Sequence, residues 1–355
     1  MTLLKIGLAG CGCIGQLVHL PILTRLRNVQ IVALADTDPR HLKEALRLTP
    51  GVTPFADYRE MVEMPGLEAV VICLPNALHA QAAIAAMQRG RHVYLEKPLA
   101  VNLDEGQKVL EAWGNAGTVG MIGFNYRFNS LYQAVKRHIQ SGRLGRLIGA
   151  RSIFSIASKE LPDWKRSRKS GGGVLLDLAS HHIDLFRFLF DEEVKEVYAR
   201  VRSIRTEEDS ALLELCLSNG LMVQSFFSLH SATEDRIEIY GNSGKLAVDR
   251  HLSLDVQIAD PDLNHARLKR CRDYLRSLAH VPYLFTKLRS PAHEPSFRAA
   301  LTHFISSVRN HQAATPDFWD GYRTLEVISA AEESMETGRA VFLMDPARQE
   351  SKSVR

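Results

Sequence analysis

The stretch Leu3-Leu4-Lys5-Ile6-Gly7-Leu8-Ala9-Gly10-Cys11-Gly12-Cys13-Ile14-Gly15 decides how the rest of the chain is read. Ile6 to Ala9 is a short apolar run of the kind that fills a strand buried on both faces, and Gly10, Gly12 and Gly15 follow at G-x-G-x-x-G spacing before a helical segment. In such a turn Gly10 allows the tight bend, Gly12 lets the backbone approach a pyrophosphate, and Gly15 lets helix and strand pack closely. The helix N-terminus then meets the phosphates. Glycine-rich turns occur in many loops, so the flanking sequence has to agree. It does: a second apolar run, Ile31-Val32-Ala33-Leu34-Ala35, ends at Asp36, about twenty residues beyond the fingerprint, where a carboxylate accepts hydrogen bonds from a ribose diol. The predicted dinucleotide site comprises Gly10, Cys11, Gly12, Cys13, Ile14 and Gly15 with Asp36, Thr37 and Arg40. An acid at 36 repels a 2′-phosphate and favours NAD over NADP, while Arg40 nearby keeps NADP open.

At 355 residues the chain is longer than one ordinary core and suggests two domains. Its hydrophobic and charged fractions are those of a soluble globular protein, and a net charge of +4 gives no support for a nucleic-acid partner. The five cysteines are odd in number and scattered, so they form neither a disulfide framework nor a C-x-x-C pair, which points to a reducing cytoplasm. Metal ligation by Cys11 and Cys13 would compete with phosphate binding, and no metal is expected. Lys5 with its apolar run mimics a signal peptide and Leu8-Ala9-Gly10-Cys11 a lipoprotein cleavage site, but the run is too short and its removal would delete the first strand. No stretch of about eighteen apolar residues predicts a membrane span.

Along the first 124 residues strands alternate with helices. Pro21 predicts a helix break near His19-Leu20, where His19 is read first as a packing residue; Asp38, Asp57, Asn76 and Asn102 are expected N-caps. Ala69 to Leu74, His92 to Leu95 and Val119 to Phe124 read as further strands. This pattern predicts a doubly wound parallel α/β sheet over 1–124, with its site at the carboxyl ends of the strands. From 125 to 355 the rhythm changes. Helices near 131–141 and 173–190 flank strands at 147–156, 194–204, 210–217, 221–229, 236–240 and 245–248, with Asn219-Gly220 as a hairpin turn. That predicts an α+β domain built on a large, mostly antiparallel open sheet, with late helices near 296–310 and 322–338 returning toward the domain junction.

Two groups carry candidate chemistry. In Gly171-Gly172-Gly173-Val174-Leu175-Leu176-Asp177-Leu178-Ala179-Ser180-His181-His182-Ile183-Asp184, Asp177, His181 and Asp184 recur at i, i+4 and i+7, on one face of a helix. An imidazole with acidic partners is a candidate proton acceptor near neutral pH; a metal site and structural polar packing are the competing readings, and His182 is the lesser candidate. Lys97, immediately before Pro98 at the end of a buried strand, is placed where its ammonium can stabilise an oxygen losing its proton. The competing reading is a surface lysine paired with Glu96.

The set Ala9-Gly10-Cys11-Gly12-x-x-Gly15, Pro75-Asn76-x-x-His79, Glu96-Lys97-Pro98 and Gly172-Gly173-x-x-x-Asp177-x-x-x-His181-x-x-Asp184 resembles the Gfo/Idh/MocA oxidoreductase family over nearly the whole chain. The resemblance implies that Lys97, Asp177 and His181 are the catalytic set, with Lys97 and Asp177 holding the reacting hydroxyl and His181 removing its proton. It implies cofactor-side roles for Pro75, Asn76, His79, Glu96 and Lys97, and a substrate-lining role for the segment containing Tyr126 and Arg127. Histidine at 181, where some members carry tyrosine, favours the inositol-dehydrogenase-like subset. It further implies a homodimer or homotetramer paired through the open sheet face, for which Leu213, Leu215, Val223 and Phe227 are the candidate residues.

The segment Asp163-Trp164-Lys165-Arg166-Ser167-Arg168-Lys169 carries four cations in five residues before the catalytic helix. Arg166 and Arg168 are candidates for a phosphate, carboxylate or nucleotide-sugar diphosphate, and Trp164 for stacking on a sugar; a solvated loop is the alternative. A second basic run, Arg267, Lys269, Arg270, Arg272 and Arg276, reads as an inserted amphipathic helix. The expected activity is NAD-dependent oxidation of a secondary alcohol of a sugar, inositol or sugar derivative. Alternatives are a glycosidase that oxidises and re-reduces its sugar with bound NAD, and a dinucleotide-sensing module, which has no need of Lys97 or His181.

Overall fold

The opening apolar run forms strand β1 (Leu4–Ala9), buried at every position but Lys5. Strands β2 (Val29–Ala35), β3 (Thr53–Phe55), β4 (Ala69–Ile72), β5 (His92–Leu95) and β6 (Gly120–Ile122) join it in a six-stranded sheet of order β3-β2-β1-β4-β5-β6. All its pairs are parallel. The order reverses between β1 and β4, which makes that crevice the ligand-binding edge of the sheet. β4 is buried at all four positions, and the lack of polar alternation is what a strand covered on both faces requires. The computed structural model describes residues 3–259 and 281–344. The basic run Arg267 to Arg276 lies outside the described residues.

Local sequence explains most helix ends. Asp38 accepts the Arg40 N–H at 2.8 Å to start Pro39–Leu48, and Asn102 accepts the Glu105 N–H at 2.9 Å to start Leu103–Ala116. Two expectations need correction. Asn76 does not cap the alanine-rich helix; it opens a 3-10 turn, Asn76–Leu78, and the helix His79–Gln88 begins after it. The second concerns the break expected near His19-Leu20: Pro21 does start a new turn there, but the helix continues through the junction. Gly15–His19 is a π turn in which the Leu20 N–H donates to the Gly15 carbonyl, and Pro21 sits in the first turn of Leu20–Leu23. The extra residue in that turn relieves the ring clash and missing donor that proline imposes on a regular helix.

The chain divides into two compact units, Met1–Asn129 with Lys287–Leu325 and Ser130–Thr286 with Glu326–Arg355. The expected two-block division assigned everything after 124 to the second domain, whereas Lys287–Leu325 belongs to the first unit. The helix Ser296–Asn310 places Ala300, Leu301, Phe304, Ile305 and Val308 in one core with Ile6, Leu8 and Tyr94. That apolar stripe at helical spacing is what draws the segment there.

The second unit contains β7 (Leu147–Ser155), β8 (Val194–Arg202), β9 (Ser210–Leu217), β10 (Met222–Ser228), β11 (Glu234–Gly241), β12 (Gly244–Asp249), β13 (Gln257–Ala259) and β14 (Val341–Phe342), ordered β13-β12-β11-β7-β10-β9-β8-β14. Only β10 with β7 is a parallel pair. Gly220, at φ +83°, turns β9 into β10 as the Asn-Gly signal predicts. Burial alternates along both strands, so one face is dry and the other wet. Leu213, Leu215, Val223 and Phe227 lie on the dry face, at 3% exposure or less, and not on the open face where pairing was expected. The open face carries Leu212 and Met222, exposed by 52% and 67%, with Glu214, Gln224 and Arg151 around them. No helix among the described residues is long and apolar enough to cross a membrane.

Candidate active site

The glycine turn is shaped as a phosphate cradle. Gly10 has φ +94°, and a Cβ there would stand 2.4 Å from the Cys73 carbonyl oxygen; one on Gly15 would stand 2.2 Å from the Gly10 carbonyl oxygen. Both positions exclude any side chain. A Cβ on Gly12 would meet nothing within 4 Å, so the backbone there lies open to a ligand. Cys11 is fully buried, Cys13 exposed and Ile14 partly packed on the core. Burial, followed by the charge of Asp36, pushes the Cys11 thiol up to about 12, which makes it inert.

Asp36 closes the cradle. Its Oδ2 accepts the Cys11 N–H at 2.7 Å and its Oδ1 accepts the Asp38 N–H at 2.8 Å. Each oxygen has a second lone pair for a ribose hydroxyl, so the residues present fit an adenine dinucleotide. Arg40 is turned away: its guanidinium grips Asp38 at 2.7 and 3.1 Å on the surface. Thr37 is exposed beside it. Two residues missed by the sequence reading complete this corner. His41 stands 3.7 Å from Asp36 Oδ1, and Gln16 Nε2 ties the Cys11 carbonyl (2.5 Å) to the His41 carbonyl (3.0 Å). Asp36→Ala is expected to weaken NAD by about tenfold, the worth of a charge-assisted hydrogen-bond pair. It should also narrow the preference for NAD over NADP. Fluorescence titration with both cofactors checks this, and unchanged affinities for the two would contradict the ribose assignment.

The turns after β4 and β5 hold the next group. Glu96 is buried and its Oε1 lies 2.7 Å from His19 Nε2, so both are engaged inside the unit. His79 is buried with Nδ1 at 2.6 Å from the Pro98 carbonyl and Nε2 at 2.8 Å from the Leu74 carbonyl. Burial pushes the His79 imidazole pKa down while the two carbonyls oppose that. His79 therefore lies between the β4 turn, where Pro75 and buried Asn76 sit, and the turn carrying Lys97, and its neutral ring donates its single N–H to one of the two carbonyls. Lys97 itself is partly exposed. Tyr126 is buried, and Arg127 Nη2 and Nη1 hold Asp320 at 2.8 and 3.3 Å. The guanidinium expected at the substrate is thus a clamp within its own unit.

The second unit presents Asp177 and His181. The expected single helix over 173–190 is a π turn, Leu175–Ala179, followed by an α-helix, Ser180–Phe190. The Ser180 N–H reaches back to the Leu175 carbonyl. The wider turn changes which side chains share a face. Asp177 and His181 are partly exposed, whereas Asp184 is fully buried, 3.8 Å from Arg187. Lys165, absent from the expected site, donates to Asp177 Oδ2 at 2.8 Å. Trp164 lies beside it, its ring 5.3 Å from Lys165 Nζ. Arg168 Nε donates to Glu332 Oε1 at 2.5 Å. Arg166 is exposed and lines a surface cleft of about 320 Å³ with Ser203, Ile204, Arg205, Thr206 and Glu207.

Behind His181 is a dry polar network. His182 Nε2 and Tyr132 Oη reach Asp235 Oδ1 at 3.0 and 3.1 Å, Arg250 Nε donates to Asp235 Oδ2 at 2.6 Å, and His182 Nδ1 lies 3.0 Å from Ser152 Oγ. The Phe154 ring stacks on His182 at 5.3 Å and stands 6.1 Å from His181. His182 is therefore a packing anchor. Arg250 and His182 hold the Asp235 carboxyl far below its ordinary range against the opposing effect of burial. With a depressed folded pKa, its stabilisation is complete above the ordinary carboxylate pKa near 4 and is lost as pH falls below it. Asp235→Asn is expected to cost about 3 kcal/mol at neutral pH, because Arg250 is left unpaired. Urea unfolding measures this, and a loss under about 0.5 kcal/mol, the range of ordinary surface substitutions, would contradict it. Among the described residues no group of three or more His, Cys, Asp or Glu side chains could hold a metal ion.

The sheet order, the glycine cradle and the acid after β2 define a dinucleotide-binding fold. The chain belongs to the GFO/IDH/MocA family: residues 4–124 match the oxidoreductase family with an NAD-binding Rossmann fold, and 132–247 match the GFO/IDH/MocA C-terminal domain. Its first unit carries the family's NAD-binding Rossmann fold. The chain is 26% identical over 350 residues to myo-inositol 2-dehydrogenase of Thermotoga maritima, covering 96% of this chain and 98% of the relative. It is 24% identical over 343 residues to glucose-6-phosphate 3-dehydrogenase of Bacillus subtilis, covering 91% and 94%. The WlbA dehydrogenase from Bordetella pertussis, solved with NADH and UDP-GlcNAcA, shares the fold with a TM-score of 0.82 at 23% identity, over 97% of this chain and 99% of its own.

Proposed function

We propose that this enzyme oxidises a secondary alcohol of a sugar, inositol or sugar derivative, nucleotide sugars included. The observation that carries the reading is His181: it is a partly exposed imidazole four residues after Asp177, in a helix whose other polar neighbours, His182 and Asp184, are fully buried. When bound, the nicotinamide supplies the hydride acceptor. Lys97 donates a hydrogen bond to the reacting hydroxyl oxygen and stabilises the negative charge that grows there. Asp177 accepts from the substrate and orients it. His181 Nδ1 is hidden from solvent, so Nε2 receives the hydroxyl proton.

Trp164 and Arg166 supply substrate contacts in this reading, Trp164 against a sugar face and Arg166 toward an anionic substituent. The relatives named above include enzymes titled for a phosphorylated sugar and for a nucleotide-sugar acid complex, and an exposed arginine suits either charge. The open sheet face with Leu212 and Met222 is the proposed surface for a homodimer or homotetramer.

Screening polyols, sugars, sugar phosphates and nucleotide sugars with NAD, followed at the reduced-nicotinamide band, tests the reading. Accumulating NADH with one substrate class is the expected result. Sugar cleavage at constant NAD, or NAD binding with no turnover of any alcohol, would overturn it in favour of a transient-oxidation glycosidase or a sensing module respectively.

A further inference from the structure

Alcohol oxidation by a lysine, an aspartate and a histidine does not by itself call for a cation on the aspartate, yet the chain builds one in. Lys165 ends the 3-10 turn Asp163–Lys165, and its Nζ lies 2.8 Å from Asp177 Oδ2, with the two side chains 29% and 17% exposed. The seat for this turn is Gly172. A Cβ there would stand 2.3 Å from the Lys165 carbonyl oxygen and 2.8 Å from that of Ser167. The Gly172 N–H donates to the Ser167 carbonyl and the Gly171 N–H to the Arg168 carbonyl, both at 2.9 Å. The glycine run thus lets the backbone of residues 165–168 lie directly against the start of the turn that carries Asp177. The same segment is tethered further on, where the Arg168 N–H donates to Glu207 at 2.8 Å and its guanidinium to Glu332 at 2.5 Å. Lys165 is therefore held from both sides.

We propose that Lys165 is a positioning residue for the reaction: its ammonium orients the Asp177 carboxylate and neutralises it beside His181. This rests on the proposed roles of Asp177 and His181. The charged groups around the turn are Lys165, Arg168 with Glu332, Glu207 and Glu208 from the connection before β9, and His181. Among them Lys165 is the cation bonded to Asp177. Without it Asp177 loses this ammonium and the carboxylate four residues before His181 is less neutralised. Both changes favour the protonated forms and raise both pKa values. The base must be unprotonated to act, so the acid limb of the rate profile moves to higher pH.

The test uses Lys165→Met, Lys165→Gln and Lys165→Arg in the full chain, with NAD and the substrate that the screen identifies. Met and Gln are expected to lower kcat about thirtyfold, to leave NAD affinity unchanged, and to move the acid limb of kcat/KM up by about one pH unit. Arginine is expected to restore most of both. A limb that stays in place in Met and Gln, or a kcat within about twofold of the parent, overturns the proposal. A lysine that only held the segment would lower stability without moving the limb. Asp177→Asn separates this failure from that of the underlying reading. Full activity in Asp177→Asn sinks the site itself, whereas an inactive Asp177→Asn beside unaffected Lys165 variants sinks the role of Lys165 alone.

Discussion

Replacing Lys97 with alanine is expected to lower turnover by roughly a hundredfold or more while NAD binds as before. The magnitude is that of removing one donor from a developing oxyanion. The cofactor should be indifferent because the turn bearing Lys97 is held by its backbone and by neighbouring side chains. The Glu96 N–H donates to the Ile72 carbonyl at 2.9 Å, His79 Nδ1 lies 2.6 Å from the Pro98 carbonyl, and Glu96 is engaged by His19. Steady-state rates and a separate NAD titration distinguish chemistry from binding. Turnover within about twofold of the parent would remove Lys97 from the mechanism, and a parallel collapse of NAD affinity would reassign it to the cofactor.

His181→Asn is expected to have the larger effect, roughly a thousandfold on kcat, because the proposed general base is replaced by a group that cannot take up the proton. The packing around it should survive, since His182, Asp235 and Phe154 hold the helix from the dry side. The residual rate should rise with pH through the range where the parent enzyme has already levelled off, as solvent takes over the proton. A pH profile that keeps the parent plateau would show that the proton leaves by another route.

The parts of the fold that were legible in the sequence are those dictated within a few residues. Uniformly apolar Ala69–Ile72 predicts a strand covered on both sides, Asp38 and Asn102 announce helix starts, and Asn219-Gly220 sets a hairpin. What stayed hidden depends on one-residue shifts or on partners far away in the chain. The π turns at Gly15–His19 and Leu175–Ala179 leave no mark in hydrophobic periodicity, yet the second inserts an extra residue per turn between Asp177 and His181. Alternation along β9 and β10 gives two faces but not which is covered, so Leu213 and Phe227 were placed on the wrong one.

The same limit applies to charges. Arg127 and Arg168 are cations near expected sites, and only the folded chain shows them paired with Asp320 and Glu332, well over a hundred residues away in sequence. Lys165 was visible as one basic residue among several, and nothing in the linear order singled it out for Asp177. Asp177 and His181 are the two side chains to which helical spacing and the family motif both point.

The central claim is that this chain takes a hydride from an alcohol carbon, with His181 receiving the accompanying proton. The mass of the reduced cofactor formed from a substrate deuterated at the oxidised carbon tests it most directly. The account predicts reduced NAD carrying the deuterium from that carbon, formed in step with ketone. Reduced cofactor without the label, or substrate converted while its deuterium stays on carbon and NAD is unchanged, would contradict it.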